Sequence, residues 1–217
     1  MLLLLALANA TDYGPYRAAL AEEYGWEVIS NKDAEVIGPV LVRHKVIQDR
    51  DCLEGSGAAP YSADLLLKLA ADIVNQPSWS TWAVKASVKL TSGTSSFDYY
   101  QLLDNPFPIH DRYWFVHATV QHDGEERRFL WEAVDPKTRY PDALAALLRD
   151  YPDAVETAVN VGDWTFTPQG TTTRIRYRIC TDVGGNIPDW AGEYAARTTL
   201  PTNLSDLVKQ ARKVSGQ

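Results

Sequence analysis

Side chains able to move protons, hold a metal or attack a substrate are sparse in this chain. Its four histidines are His44, His110, His117 and His122. His117 and His122 stand five apart on one predicted strand, so they project from opposite faces and share no metal geometry. To act as a general base, His117 would have to face inward. If Trp114, Val116 and Ala118 face inward, alternation turns it out. Glu125-Glu126 falls at a predicted hairpin tip and reads as a solvated turn rather than an acid–base pair. GxSxG, HExxH, a Gly-rich phosphate loop and CxxC are all missing, which removes the usual signatures of hydrolases, zinc proteases, nucleotide binders and thiol redox enzymes. No catalytic set, no metal site and no cofactor is expected. Tyrosine remains. Tyr99, Tyr100 and Tyr177 each carry a hydroxyl at the end of a rigid apolar body, a form suited to orienting a ligand's polar group. Core tyrosines bonded to backbone would give the same pattern, so both readings stay open.

Strands and one long helix must position these groups. From Thr173 the sequence alternates strictly, with Ile175, Tyr177 and Ile179 on one face and Arg174, Arg176 and Arg178 on the other. Gly184-Gly185 breaks this strand. A helical segment follows, with Asn186 as N-cap, Pro188 in the first turn, and a stripe that includes Ile187, Trp190, Tyr194, Leu204, Leu207 and Val208. Pro201 predicts a bend in that helix. Upstream, the patterns predict a helix over Asp12 to Tyr24 and a strand over Trp26 to Ser30 with a turn at Asn31-Lys32-Asp33. Strands follow at Ala34 to Gly38 and Val40 to Ile47, then a turn-rich connection through DRDCLEGSGAAP. Ser62 caps a helix with Leu65, Leu66, Leu69, Ala70 and Ile73 on one face. Further strands are expected from Trp82 to Leu90, Phe97 to Leu103, Tyr113 to Gln121 and Arg127 to Val134, with a short helix over Pro141 to Asp150. Val155 to Asn160 and Asp163 to Pro168 read as the strands before the last.

With 217 residues, 45% of them hydrophobic, the chain is long enough for one domain with a sizeable core. A net charge of −7 leaves no basic block for phosphates, which argues against nucleic acid and against broad adhesion to anionic membranes. The first ten residues, MLLLLALANA, are too short to span a bilayer. They match the end of a secretory signal, with Ala8-Asn9-Ala10 as the cleavage pattern and Thr11 as the mature start. Residues 1–10 are therefore expected to be a signal-peptide remnant, residues 11–217 a single domain, and the location periplasmic or secreted, with a cytoplasmic location as the alternative. Cys52 and Cys180 are the only thiols; one falls in an apparent loop and one in a strand, which leaves their pairing open.

Three motifs then fall in a telling order. Asn105-Pro106-Phe107-Pro108-Ile109-His110-Asp111-Arg112 precedes an aromatic strand; Gly162-Asp163-Trp164-Thr165-Phe166 precedes the last hairpin; and GGNIPDW is followed by RTTLPTNL. Together these resemble the START (StAR-related lipid-transfer) domains, including bacterial members, over roughly residues 12–213. The resemblance implies an α+β helix-grip fold: a curved antiparallel sheet of about seven to nine strands wrapped around a long C-terminal helix, with an internal apolar cavity. It implies binding and transfer of a lipid or other hydrophobic small molecule by a monomer, with transient membrane contact. Enzymatic relatives of the same fold, cyclases and hydratases acting on aromatic or polyketide-like substrates, supply the alternative. The cavity and its lid are expected to use Tyr100, Trp114, Val116, Ala118, Trp131, Tyr177, Ile179, Trp190 and Tyr194, with Phe107 and Ile109 on a gate loop and Asp111 and Arg112 as structural charges. Sterol-carrying members place a buried acid–base pair in the cavity. The matching position, six residues after Arg112, is Ala118, so that pair is not reproduced.

Overall fold

The computed structural model describes residues 11–81, 84–105, 108–182, 184 and 189–216, with the backbone alone for 189–196. In chain order the elements are α1 (Gly14–Ala21), β1 (Glu27–Ala34), β2 (Gly38–Ile47), β3 (Arg50–Ala59), α2 (Ala63–Ala71), β4 (Val84–Lys89), β5 (Ser96–Leu103) and β6 (Arg112–Asp123). After these come β7 (Glu126–Ala133), α3 (Pro136–Arg139), α4 (Pro141–Asp150), β8 (Val155–Glu156), β9 (Asn160–Gln169), β10 (Thr172–Thr181) and α5 (Asp189–Val214). Nine strands form one antiparallel path in the order β1-β2-β3-β10-β9-β7-β6-β5-β4. The two-residue β8 adds to it by pairing with β6 in parallel, which brings the sheet to ten strands. The sheet is curved and unclosed, with β1 and β4 as its edges.

Alternation divides this sheet into two faces. The inner face packs Val116, Phe129, Phe166 and Ile175 against Leu66 and Leu69 of α2 and Leu204, Leu207 and Val208 of α5, all in one buried cluster. The outer face is covered in two places. α1 brings Tyr16 and Leu20 onto Val161, Cys52 and Cys180, and α4 brings Leu144 and Leu147 onto Leu102, Tyr113 and Phe115. α2 starts as its sequence predicts, with the Ser62 hydroxyl accepting from the Leu65 N–H at 3.3 Å. α5 continues through Pro201 as one 26-residue helix. The expected N-cap and first turn at Asn186–Pro188 lie outside the described residues.

Two expectations are corrected. The stretch read as a turn-rich connection from Asp49 onward is strand β3, paired with β2 and β10 along its length. Its glycines are needed for packing: a Cβ on Gly55 would meet Leu200 at 3.2 Å and Leu204 at 3.4 Å, so their absence lets α5 approach the sheet. Similarly, Asn31-Lys32-Asp33 is no turn but the middle of β1; the reversal falls at residues 35–37, where Val36 takes a positive φ of 61°. β1 is an exposed edge strand, where polar and charged side chains are tolerated and blunt further pairing. Because β3 is a strand, Cys52 stands directly opposite Cys180, and the two form a disulfide with Cα atoms 4.2 Å apart.

Candidate functional site

Inward-facing rings from β5, β7, β9 and β10, four of five consecutive strands, form a continuous band. Its successive centroid separations are 6.0 Å for Phe97–Tyr99, 6.5 Å for Tyr99–Phe129, 6.1 Å for Phe129–Trp131, 5.6 Å for Trp131–Tyr177 and 4.6 Å for Tyr177–Trp164. Small residues make room for it. Ala118 lies between Phe97 and Trp131 in the register, and Gly162 faces Trp131, where a Cβ would come within 2.5 Å of the indole. The Trp131 indole N–H donates to the Asn160 side-chain oxygen at 2.8 Å and is satisfied.

The two phenols in the band are not. Tyr99 is 4% and Tyr177 7% exposed, yet among the described residues neither hydroxyl has a hydrogen-bond partner. Neither is fully occluded either, unlike the unpartnered Ser205 hydroxyl. Burial, and then the nearby Tyr177, hold the Tyr99 phenol far above its usual range; burial, and then Asp163, do the same for Tyr177. Both remain neutral donors at any physiological pH.

The remaining expected residues divide clearly. Trp114, Val116, Ala118, Trp131 and Tyr177 belong to the inner cluster, with Ile179 half-buried against it. Tyr100 does not. It faces outward, its ring 5.1 Å from Phe115 and packed with the residues beneath α4, because β5 turns Phe97 and Tyr99 inward and therefore the next residue out. Tyr99 takes the inner place, and Phe97, Phe129, Trp164 and Phe166 complete it. Alternation with Phe97 was the signal that favoured Tyr99. The side chains of Trp190 and Tyr194, and Phe107 altogether, lie outside the described residues. Ile109 is half-buried and lines an open surface recess of about 420 Å³ with residues 150–154. Asp111 accepts from the Asn105 N–H at 3.2 Å and pairs with Lys85 at 3.3 Å, while Arg112 donates to the carbonyls of His110 and Gly184 at 2.6 and 3.0 Å. These two charges tie the loop to β4 and to the end of the last hairpin.

His117 faces outward, where Ser96 contacts its Nε2 at 3.1 Å and Asp98 its Nδ1 at 2.5 Å. That connectivity is the one nucleophilic catalysis uses. Here, however, Asp98 is also bound by Arg139 at 2.9 Å and by the Tyr140 hydroxyl, which makes it the anchor of the α3–α4 segment on the sheet. Among the described residues no group of three or more His, Cys, Asp or Glu is placed to hold a metal, and no helix is long and apolar enough to cross a membrane.

Comparison with known proteins bears on the architecture. No family model matches the chain. An uncharacterized protein of Pseudomonas aeruginosa is 25% identical over 218 residues, 98% of each chain. Human STARD10 superposes with a TM-score of 0.72 at 17% identity, covering 91% of this chain and 77% of its own. A STAR-related lipid transfer protein from Xanthomonas axonopodis gives 0.69 at 22%, covering 87% and 99%. The fold is the START-like helix grip. Within this helix-grip group the Zhui aromatase/cyclase from a Streptomyces species also superposes, at a TM-score of 0.52 and 13% identity, covering 75% of this chain and 94% of that one.

Proposed function

We propose that this START-like chain binds a lipid or other hydrophobic small molecule between the inner face of the sheet and α5, and carries it between membranes. One observation carries the reading: an aromatic band deep in the grip holds two hydroxyls with no partner among the described residues. A packed core satisfies its buried polar groups, so donors left over in an apolar interior suit a guest. Trp114, Trp131, Tyr99, Tyr177 and Trp164 each keep 4–8% of their surface accessible, consistent with space beside them. Affinity would come from burial of the guest's apolar surface, at about 25 cal/mol per Å². Ile109 and its neighbours would touch the bilayer during loading.

Native mass spectrometry of the purified full chain tests this. A reproducible adduct of lipid mass is expected; a clean apo mass together with no uptake of fluorescent lipids would remove the proposal. For membrane contact, liposome co-sedimentation should fall for Phe107→Asp, and an unchanged bound fraction would exclude that loop.

A second reading, cyclase-type catalysis on an aromatic or polyketide-like substrate, draws on the same phenols. Neutral donors in a dry site can polarise a carbonyl without taking a proton themselves. Export to an oxidising compartment forms part of the proposal: the Cys52–Cys180 pair favours it, as does the A-x-A pattern at residues 8–10. Intact mass of the protein from its native host should give a start at Thr11.

A further inference from the structure

The inner face says something about the guest's polar end. Each phenol, without a partner among the described residues, is a donor on a rigid ring, and the two rings are linked through Phe129 and Trp131. Leaving such a hydroxyl unsatisfied in an apolar interior is costly, so something must accept from it when the site is filled. Around them stand Val116, Ala118, Phe129, Trp131 and Trp164, none of which carries a charge, and the Trp131 N–H is already given to Asn160. The charges at the margins of this face are engaged: Arg127 by Asp64, and Asp206 by the Thr81 N–H and hydroxyl at 2.6 and 2.7 Å. Arg112 is spent on backbone carbonyls. A carboxylate or phosphate placed beside the phenols would therefore lose its hydration without gaining a cation. A carbonyl oxygen fits better, since it accepts from a phenol without bringing a charge or a proton of its own to satisfy. Aromatic faces on several sides favour a flat body over a bundle of chains.

Resting on the hydrophobic-guest reading, we infer that the ligand is a neutral, flat molecule whose carbonyl oxygen accepts a hydrogen bond from Tyr99 or Tyr177. Ketones, quinones, lactones and esters of fused-ring compounds belong to this class; fatty acids and lipids that must bury a phosphate do not. Both phenols stay protonated through the physiological range, so the preference does not change with pH there.

Three naphthalene probes of matched length test the inference on the full chain: a dodecanoyl-dimethylaminonaphthalene, whose emission reports hydrogen bonding to its ketone; the dodecyl naphthalene without the ketone; and a naphthyl-tagged fatty carboxylate. The wild type should bind the ketone roughly ten- to a hundredfold more tightly than either comparator, with the red-shifted emission of a hydrogen-bonded carbonyl. Tyr99→Phe/Tyr177→Phe should lose that advantage and the red shift, yet keep its affinity for the hydrocarbon, which also shows that the variant folds. If the hydrocarbon and ketone bind equally to the wild type, the inferred acceptor is wrong while the hydrophobic site stands. Equal binding of the carboxylate, or an undiminished preference in the double variant, also overturns the inference. Should none of the three bind, the hydrophobic-guest reading itself fails.

Discussion

Tyr177 and Arg178 are neighbours in β10 and opposites in their surroundings. The Arg178 guanidinium reaches both Asp163 oxygens at 2.9 and 3.0 Å and the Leu20 carbonyl at 2.5 Å, under α1 and almost out of water. Nearby, Arg43 closes on the buried Glu54 at 2.6 Å. One residue away, on the other side of the same sheet, the Tyr177 hydroxyl has no hydrogen-bond partner among the described residues. The outer face thus spends these charges on holding α1 and neighbouring strands together, while the inner face keeps two hydroxyls in reserve. Bonds made within the chain mark architecture; bonding capacity left unused marks a site for something else.

That contrast fails if the two faces answer mutation alike. Arg178→Ala leaves Asp163 buried and unpaired, and should cost about 3–5 kcal/mol in urea unfolding. Tyr177→Phe removes a hydroxyl with nothing bonded to it and should leave stability unchanged or slightly higher. A loss of more than about 1 kcal/mol for Tyr177→Phe would reveal a structural hydrogen bond and end the idea of a reserve. Next in size is the disulfide beneath α1, which joins positions 128 residues apart. Replacing both cysteines by Ala should cost about 2–5 kcal/mol with no change in ligand preference, because Cys52 and Cys180 belong to the outer face.

Alkaline pH separates the faces in another way. In the unfolded chain both tyrosines ionise near about pH 10, whereas burial holds them neutral in the fold. Their contribution to stability is fully present below about pH 10 and is lost as the pH rises, at about 1.4 kcal/mol per unit for each phenol. The double Phe variant should therefore unfold at a higher pH than the wild type. Tyr113, pushed up to about 12 by burial and then by Glu156, contributes equally in both proteins. Coincident alkaline unfolding curves would show that the phenols already reach solvent.

Much of this was legible in the sequence, and the exceptions share a cause. The family resemblance placed Trp114, Val116 and Ala118 inward and therefore His117 outward, and alternation separated the two faces of β10 correctly. It could not show that α1 lies over Arg178, because a strand pattern says which way a side chain points and not what covers it. Tyr99 and Tyr100 are chemically identical neighbours, so a shift of one residue exchanged an inner phenol for one under α4. β3 was missed because Gly55 and Gly57 weaken any strand signal, although they are there for Leu200, Leu204 and Ile37 to pack against. With β3 hidden, the cysteine register was hidden too. Each miss is a tertiary contact overriding a local propensity.

The smallest expected effect tests the outer face where it most resembles a site. Ser96, His117 and Asp98 are connected as an acyl-transfer relay would be, but Asp98 is 1% exposed and shared with Arg139 and Tyr140. If its task is to anchor α3 and α4, then His117→Gln should cost only about 1 kcal/mol, the worth of one partly exposed hydrogen bond. Hydrogen exchange should rise over residues 136–150 and nowhere on the inner face. Ser96→Ala, which removes a contact to the exposed edge of the imidazole, should change neither stability nor exchange. An acyl-transfer role predicts a different order. Ser96 would be labelled by a fluorophosphonate, and labelling would vanish in His117→Gln while the exchange pattern stayed flat. Asp98 cannot be tested as cleanly, because Asp98→Asn disturbs three partners at once and so should exceed the His117 effect under either role.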